Sequence, residues 1–421
     1  MMKMVISRFK VPAVIFVALI GFGWIVCSRL FNTSPSDTFY SEQKYHEDLA
    51  RIYYDLGMLR QQRGDLKKAC QAFKNALQAD ASLLNAYDAL GTAYERRNKS
   101  NKALQTYFKA MSINSNFCLK RLPNKRPHGP EPLKEIETLE NIPRWKGQEL
   151  QGKTIYVYAE QSSGDSIQFA RFIKLLAERA AKVYFKPPVA LASLLARANL
   201  QAEIVHEQIN PATLNVDFYA SLFSLPHLLG CNDDEIPCPD GYLFADEQKV
   251  AYFKNFLFNP KINVNEQKIG IFWKKSENLK QSKNNFADSF DPVGTIAGIN
   301  QGAIYSLCSN KSMRKAQRNT KNITLINLDQ HVHDLEDTAA ILANLDILIC
   351  NDSMYAHLAG ALGKKVLLVL PPKSDWQWMS SCTSSNAVWY THMTKFVQTS
   401  RESWNKVFDR VTQHLKHELK A

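Results

Sequence analysis

The sequence predicts an α + α/β fold, with a short helical-hairpin region followed by two Rossmann-like, parallel-sheet units. Three observations carry this. The chain matches itself at an offset of 34 residues near its N-terminus. Alternating strand-like and helix-like runs fill the C-terminal two thirds, and a proline-rich stretch divides the two regions. At 421 residues, 45% hydrophobic and 22% charged, the chain has room for roughly two to four domains. That composition excludes collagen, wholesale disorder and a polytopic membrane protein. Eight cysteines and no CxxC pair make no dense disulfide framework. The net charge of +12 permits contact with anionic surfaces but names no activity.

The first element is an uncharged run from Val11 to Cys27, preceded by Lys3, Arg8 and Lys10. Its helical length is roughly 26 Å, close to a thin hydrocarbon core. Residues 1–31 therefore read as a single membrane anchor. A cleaved signal peptide lacks a good small-x-small cleavage pattern here, and nothing downstream is built to cover a buried soluble helix. The positive-inside rule puts the amino terminus in the cytoplasm and the bulk outside, a bias weakened by Arg29, Lys44 and Arg51.

The repeat comes next. Leu56-Gly57 recurs as Leu90-Gly91, Gly64 as Asn98, Ala69 as Ala103, Phe73 as Tyr107, Ala76 as Ala110 and Asp80 as Asn114. Each unit reads as two amphipathic helices, with small residues for close backbone approach and aromatics to fill the gaps. The pattern resembles tetratricopeptide repeats and spans a region of residues 40–118. Two units are short for a free-standing solenoid, so they are expected to pack on the α/β region, bind a protein partner or self-associate. Their lysines and arginines read as a solvated face, and no recognition motif points to nucleic acid.

Residues 119–144 form the linker, where Pro123, Pro127, Pro130, Pro132 and Pro143 interrupt helix formation. Strand-like Thr154–Ala159 then precedes a helix over Ser166–Ala180. A strand at Lys182–Phe185, a helix over Val189–Ala198 and a strand at Ala202–Val205 come after it. The pattern restarts at Lys268–Trp273 and continues through Ala303–Leu307 and Ile323–Leu328. A helix over Asp334–Leu345, a strand at Asp346–Cys350, a helix near Ser353–Leu362 and a strand at Lys365–Leu370 come next. This alternation implies parallel sheets with right-handed crossovers, in units of residues 145–262 and 263–421. Trp404–Leu419 closes the chain as an amphipathic helix.

Ligands in such sheets sit beyond the strand C-termini, where helix N-termini present free amides. Two places fit. Ser162-Ser163-Gly164-Asp165 lies between a strand and a helix, and Asn351-Asp352-Ser353 is followed by His357 on the next helix. Ser353 is placed to cap that helix or donate to a phosphate, with His357 one turn on and facing the same ligand.

The segment from Asp346 to Met379 resembles the donor-side region of bacterial family 9 glycosyltransferases, the heptosyltransferases and their relatives. Trp145-Lys146-Gly147, Gly164–Phe172, Ser224–Gly230, Ile236–Asp246, Gly270–Trp273, Asp334–Asp346 and Trp389-Tyr390 match in the expected order. The resemblance implies a GT-B fold, its N-terminal half holding the acceptor and its C-terminal half a nucleotide-sugar donor. It implies an inverting, metal-independent enzyme with no cofactor beyond that substrate. Asp165 would be the catalytic base, since an acceptor hydroxyl must lose its proton as it attacks. Ser162, Ser163 and Gly164 would form the acceptor-side loop. Asp352, Ser353, His357 and Lys274 (or Lys275) would face the departing diphosphate. The acceptor class is a glycan, a lipid-linked sugar or a protein hydroxyl.

The chain departs from the family pattern at three places. Ser162-Ser163-Gly164-Asp165 replaces Gly-Leu-Gly-Asp, Lys274-Lys275-Ser276 replaces a small residue and glycine without the downstream arginine, and Ser306-Leu307-Cys308 replaces Ser-Leu-Gln. These departures raise an alternative: a catalytically inactive scaffold at the membrane, with the repeats as its interaction surface. Cys231 and Cys238 read as isolated thiols. His331 and His333 lack a third metal partner, and Trp376 and Trp378 suit either core packing or a sugar face. Nucleotide sugars are cytoplasmic, which favours the inner face of a bacterial inner membrane.

Overall fold

The computed structural model describes residues 42–113, 139, 141–160, 162–206, 209–231, 236–257, 267–273, 304–308, 325–372, 374, 376–378, 385–399 and 402–418. The expected membrane anchor, most of the linker, Lys274 and Lys275 lie outside the described residues. Among the described residues, no helix is long and apolar enough to cross a membrane.

Four helices make two hairpins: α1 (Glu42–Gln62), α2 (Leu66–Ala79), α3 (Leu84–Glu95) and α4 (Ser100–Ile113). The 34-residue offset is visible in backbone angles and in contacts. Gly64 (φ +84°) and its mate Asn98 (φ +53°) both take the left-handed turn between paired helices. Asparagine is one of the few side-chain-bearing residues that enter this region readily. A Cβ on Gly57 would lie 2.3 Å from the Phe73 ring, and one on Gly91 would lie 2.2 Å from the Tyr107 ring. In each repeat the missing side chain of one helix seats the aromatic of the next. Asp65 caps α2, accepting from the Lys68 amide at 3.2 Å.

The first sheet contains β1 (Thr154–Tyr158), β2 (Lys182–Lys186), β3 (Glu203–Ile204) and β4 (Phe218–Ser221), in the order β3-β2-β1-β4. All pairs are parallel, with Ile155 opposite Val183 on one side and Phe218 on the other. Helix α5 (Ser163–Ala177) links β1 to β2. The helix expected over Val189–Ala198 is a 3-10 turn, Val189–Leu191, running into the short α6 (Ala192–Ala196). Helix α7 (Leu225–Leu228) comes after β4, and α8 (Glu247–Leu257) leads toward the second unit.

The second sheet is six-stranded and parallel. It comprises β5 (Ile269–Phe272), β6 (Ile304–Ser306), β7 (Leu325–Asn327), β8 (Ile347–Asn351), β9 (Lys365–Leu370) and β10 (Met393–Val397), ordered β10-β9-β8-β5-β6-β7. Its central strands are buried along nearly their whole length, as expected of a parallel sheet covered on both faces. Helices α9 (Leu335–Asn344) and α10 (Met354–Ala361) flank β8, and α11 (Trp404–Glu418) closes the chain. Trp404, Val407, Phe408, Val411 and Leu415 of α11 pack on Ile269, Ile271, Ile349, Leu367 and Phe396. His331 ends a 3-10 turn and His333 lies in the loop after it, so neither lies on a strand face.

Three links join the parts. The amides of Tyr242 and Leu243 donate to the Ala361 carbonyl at the end of α10, at 2.7 and 2.9 Å. Lys249 of α8 pairs with Asp334 and Asp337 at the start of α9, and Arg197 pairs with Glu336. Finally, the repeats dock on the α/β region. The Phe108 ring lies 6.3 Å from that of Phe172 and 5.9 Å from Trp389, and Tyr107 lies 5.2 Å from Trp376. One hydrophobic cluster runs through all three.

Candidate active site

The helix-breaking stretch after β1 sets up the N-terminal side. Ser162, in an extended conformation, is the N-cap of α5. Its hydroxyl donates to Asp165 Oδ2 at 2.6 Å, and the Asp165 amide points back at Ser162 Oγ at 3.4 Å. A short polar side chain three residues before an acid satisfies helix-end donors and fixes the carboxylate's rotamer together. Gly164 lets α5 come close to α10. A Cβ there would sit 3.3 Å from His357 Cδ2 and 3.4 Å from Met354 Cα. The positive ends of two helix dipoles, one from each sheet, thus meet around Gly164.

On the C-terminal side, β8 ends at Asn351 and α10 begins at Met354. Asp352 is exposed. The Ser353 hydroxyl donates back to the Asn351 carbonyl at 3.1 Å, so Ser353 is an N-cap by position but makes no side-chain cap bond. His357 is 3% exposed. Its ring stacks on Trp378 at 4.7 Å, and Nδ1 is 3.1 Å from the Tyr390 hydroxyl. The histidine and Ser353 therefore do not converge as expected. Ring stacking and the phenol hold His357 in the seam against α5, whereas Ser353 and Asp352 remain near the surface.

The segment after β9 completes the seam. Gln377 Nε2 donates to Asp165 Oδ1 at 2.8 Å, and the Gln377 carbonyl accepts from Trp389 Nε1 at 2.7 Å. Trp376 and Trp378 are each 1% exposed, which makes them core residues and not an open sugar platform. Arg171, two turns along α5 from Asp165, is fully buried. Its Nη1 donates to the Trp389 carbonyl at 2.6 Å, and its guanidinium lies 4.7 Å from the Tyr390 ring centre and 5.0 Å from that of Tyr242. The weak hydration and planarity of a guanidinium suit such a cage. Burial raises the pKa of both phenols, keeping them neutral.

Residues 160 and 165 differ in kind. Glu160 is buried just beyond β1 and accepts from the backbone amides of Leu222 and Phe223 at 3.1 and 3.2 Å. Burial pushes its pKa up to about 7. It anchors the turn after β4, whereas Asp165 lies in the seam. Of the sequence-predicted residues, the structure brings together Ser162, Gly164, Asp165 and His357. Ser163 opens α5 beside them, Asp352 and Ser353 lie at the rim, and Lys274 is outside the described residues. Sequence reasoning missed Glu160, Arg171, Gln377 and Tyr390. Arg171 and Gln377 carried one readable signal, a polar residue embedded in apolar and aromatic neighbours. Among the described residues, no group of three or more His, Cys, Asp or Glu gathers to hold a metal ion.

Comparison with known proteins fits this layout. Residues 200–406 match the model of glycosyltransferase family 9 (heptosyltransferase), and residues 50–83 match that of a tetratricopeptide repeat. The C-terminal half of the chain is thus similar to family 9 glycosyltransferases, and the stretch before it to a tetratricopeptide repeat. Protein FlbA of Caulobacter vibrioides is 24% identical over 293 residues, which are 65% of this chain and 48% of that protein. The chain thus spans about half the length of the curated relative it matches. Among solved structures, the E. coli ADP-heptose lipopolysaccharide heptosyltransferase II aligns with a TM-score of 0.45 and 14% identity, over 63% of this chain and 98% of that one. The family 9 glycosyl transferase of Veillonella parvula aligns at 0.43 and 12%, over 60% and 87%. The family 9 match begins within the first sheet's unit and ends in α11, so it contains Asp352, His357 and Gln377, while Asp165 precedes it.

Proposed function

We propose that this protein is an inverting glycosyltransferase that moves a sugar from a nucleotide-sugar donor to an acceptor hydroxyl. In this reading the acceptor oxygen attacks the anomeric carbon and the bond to the diphosphate oxygen breaks. Asp165 takes the hydroxyl proton. The α10 N-terminus, with Asp352 and Ser353 at its rim, faces the leaving diphosphate, where exposed amides offset developing negative charge. His357 and Tyr390 orient this edge from behind. No step is routed through a metal ion, so turnover insensitive to EDTA is the expected result.

One observation carries the reading. Asp165 stands where helix N-termini from two parallel sheets meet, and its carboxylate is oriented from both sides, by Ser162 and Gln377. The family 9 match supports the reaction class. The acceptor is taken to be a glycan, a lipid-linked sugar or a protein hydroxyl. The workplace is taken to be the cytoplasmic face of a bacterial inner membrane, and protease accessibility of residues 120–144 in sealed vesicles tests that topology.

The catalytic test is a panel of UDP-, GDP- and ADP-sugars measured by calorimetry. Selective binding lost on Asp352→Ala, with Asp165→Asn sparing binding but cutting transfer by about 10²–10⁴-fold, is expected. No binding to any member by a folded protein would leave the non-catalytic scaffold as the reading. Unchanged transfer by Asp165→Asn would remove Asp165 as the base.

A further inference from the structure

Tyr45, Leu49, Ile52, Leu56 and Leu59 succeed one another along α1 at alternating steps of four and three residues. That spacing places them in one stripe along the helix. Tyr45, Ile52 and Leu59 are 45%, 51% and 44% exposed, and Leu49 and Leu56 are half-buried between them. The helix meets α2 with another face, where Ala50 is fully buried and Gly57 seats Phe73. A contiguous apolar stripe on an otherwise charged helix marks an interface.

We infer that this stripe pairs with the same stripe of a second copy of the chain, parallel and in register. The spacing is that of a two-stranded helical seam, which is self-complementary by construction. The charges beside it choose the orientation. Asp48 and Asp55 flank one edge, and His46, Tyr53 and Arg60 flank the other. Parallel pairing brings Asp55 of each copy to Arg60 of the other, two opposite-charge contacts related by the twofold axis. Antiparallel pairing turns the two aspartate edges toward each other. The Arg60 guanidinium also donates to the Lys68 carbonyl at 3.3 Å, which holds it beside the stripe. Because α2 already supports α1, pairing need not order a free helix, which removes the main cost of so short a seam.

The test uses the full chain in detergent, by sedimentation velocity over a concentration series. The parent chain is expected to dimerise. Ile52→Asp, an exposed position that should not disturb folding, is expected to weaken the dimer by more than about tenfold. Asp55→Arg weakens it, and adding Arg60→Asp in the same chain restores it. Leu59→Cys, compared with the parent chain, gains a copy-to-copy product with a short bismaleimide, because only the parallel register brings the two positions 59 together. Circular dichroism confirms that each variant is folded. A chain monomeric at every concentration overturns the inference and leaves the stripe to residues before α1 or to another protein. A dimer indifferent to Ile52→Asp and Asp55→Arg, or one the charge swap cannot restore, overturns it equally.

Discussion

Gln377 of the C-terminal unit donates its side-chain amide to Asp165 of the N-terminal unit, 2.8 Å across the seam between the two sheets. Ser162 holds the other carboxylate oxygen at 2.6 Å. The candidate base is therefore oriented only when both units are in place. A carboxylate in a protein seam depends on such donors for its geometry.

Replacing Gln377 tests that dependence. Gln377→Met keeps much of the side-chain length and the packing between Trp376 and Trp378, withdraws the donated hydrogen bond and adds no charge beside Asp165. It should cut kcat for transfer by about tenfold to a hundredfold, as expected when a catalytic group loses its orientation. The KM for the donor should stay within about twofold, because the residue faces the base and not the diphosphate. Steady-state kinetics on the parent and Gln377→Met separate the two parameters. A shift confined to KM would place Gln377 on the donor instead.

Arg171 ties the same two units from farther down α5. Its guanidinium bonds the Trp389 carbonyl and sits among Tyr242, Tyr390 and Trp389, with no carboxylate within ion-pair reach in the described seam. Arg171→Lys keeps the charge but loses the planar fork, leaving a compact ammonium in an aromatic cage. A loss of about 1–3 kcal/mol in unfolding free energy is expected, the cost typical of leaving buried hydrogen-bonding groups without partners. Urea denaturation followed by tryptophan fluorescence measures it, since Trp376, Trp378 and Trp389 report on this core.

Much of the architecture was legible because it rests on periodicity. The 34-residue register predicts the Gly57–Phe73 and Gly91–Tyr107 pairs, because a missing side chain and a ring must recur together to pack. The strand-helix alternation announced both parallel sheets. Irregular elements escaped: β4 follows a 3-10 turn over Pro211–Leu214 and not a helix, so the alternation does not announce it, and the helix expected over Val189–Ala198 shortens to α6 behind Pro187 and Pro188. At the candidate site the sequence marked helix starts alone: Asp165 lies in the seam near the start of α5, whereas Ser353 turns its hydroxyl back to Asn351 near the surface. Gln377 and Arg171 act across more than 200 positions of chain. No local pattern encodes such a pairing, and His357, placed correctly on α10, took partners that no spacing rule names.

The repeat contacts give a paired stability prediction. Gly57→Ala and Gly91→Ala each place a methyl group inside the space of a ring, at 2.3 and 2.2 Å. Both should destabilise the helical hairpins, by about 1–3 kcal/mol for overpacking. Gly91→Ala should cost more. Tyr107 is held by its hydroxyl bond to Glu95 at 2.6 Å and by its contact with Trp376, whereas the Phe73 ring has no hydroxyl to anchor it. Thermal unfolding of the two variants side by side gives the order. Equal losses would mean that the Tyr107 lock transmits no strain.

Glu160 makes stability depend on pH in a direction opposite to that of an ordinary paired carboxylate. Burial raises its pKa from 4.5 to about 7, against the lowering effect of the Leu222 and Phe223 amides. The folded chain therefore binds this proton more tightly than the unfolded chain does. Between the unfolded and folded values the folded state holds more protons, so stability falls as pH rises through that window and levels off above it. The full swing is on the order of 3 kcal/mol for a shift of this size. Glu160→Gln keeps an acceptor for one backbone amide and removes the ionisation. Relative to the parent it should be of similar or lower stability at about pH 5 and should gain steadily toward about pH 8, as the parent loses its proton. Urea denaturation of both proteins across that range traces the difference. A gap that stays constant with pH would show that Glu160 keeps the same charge in the folded and unfolded chains, and the turn after β4 would then be held by a permanently ionised carboxylate.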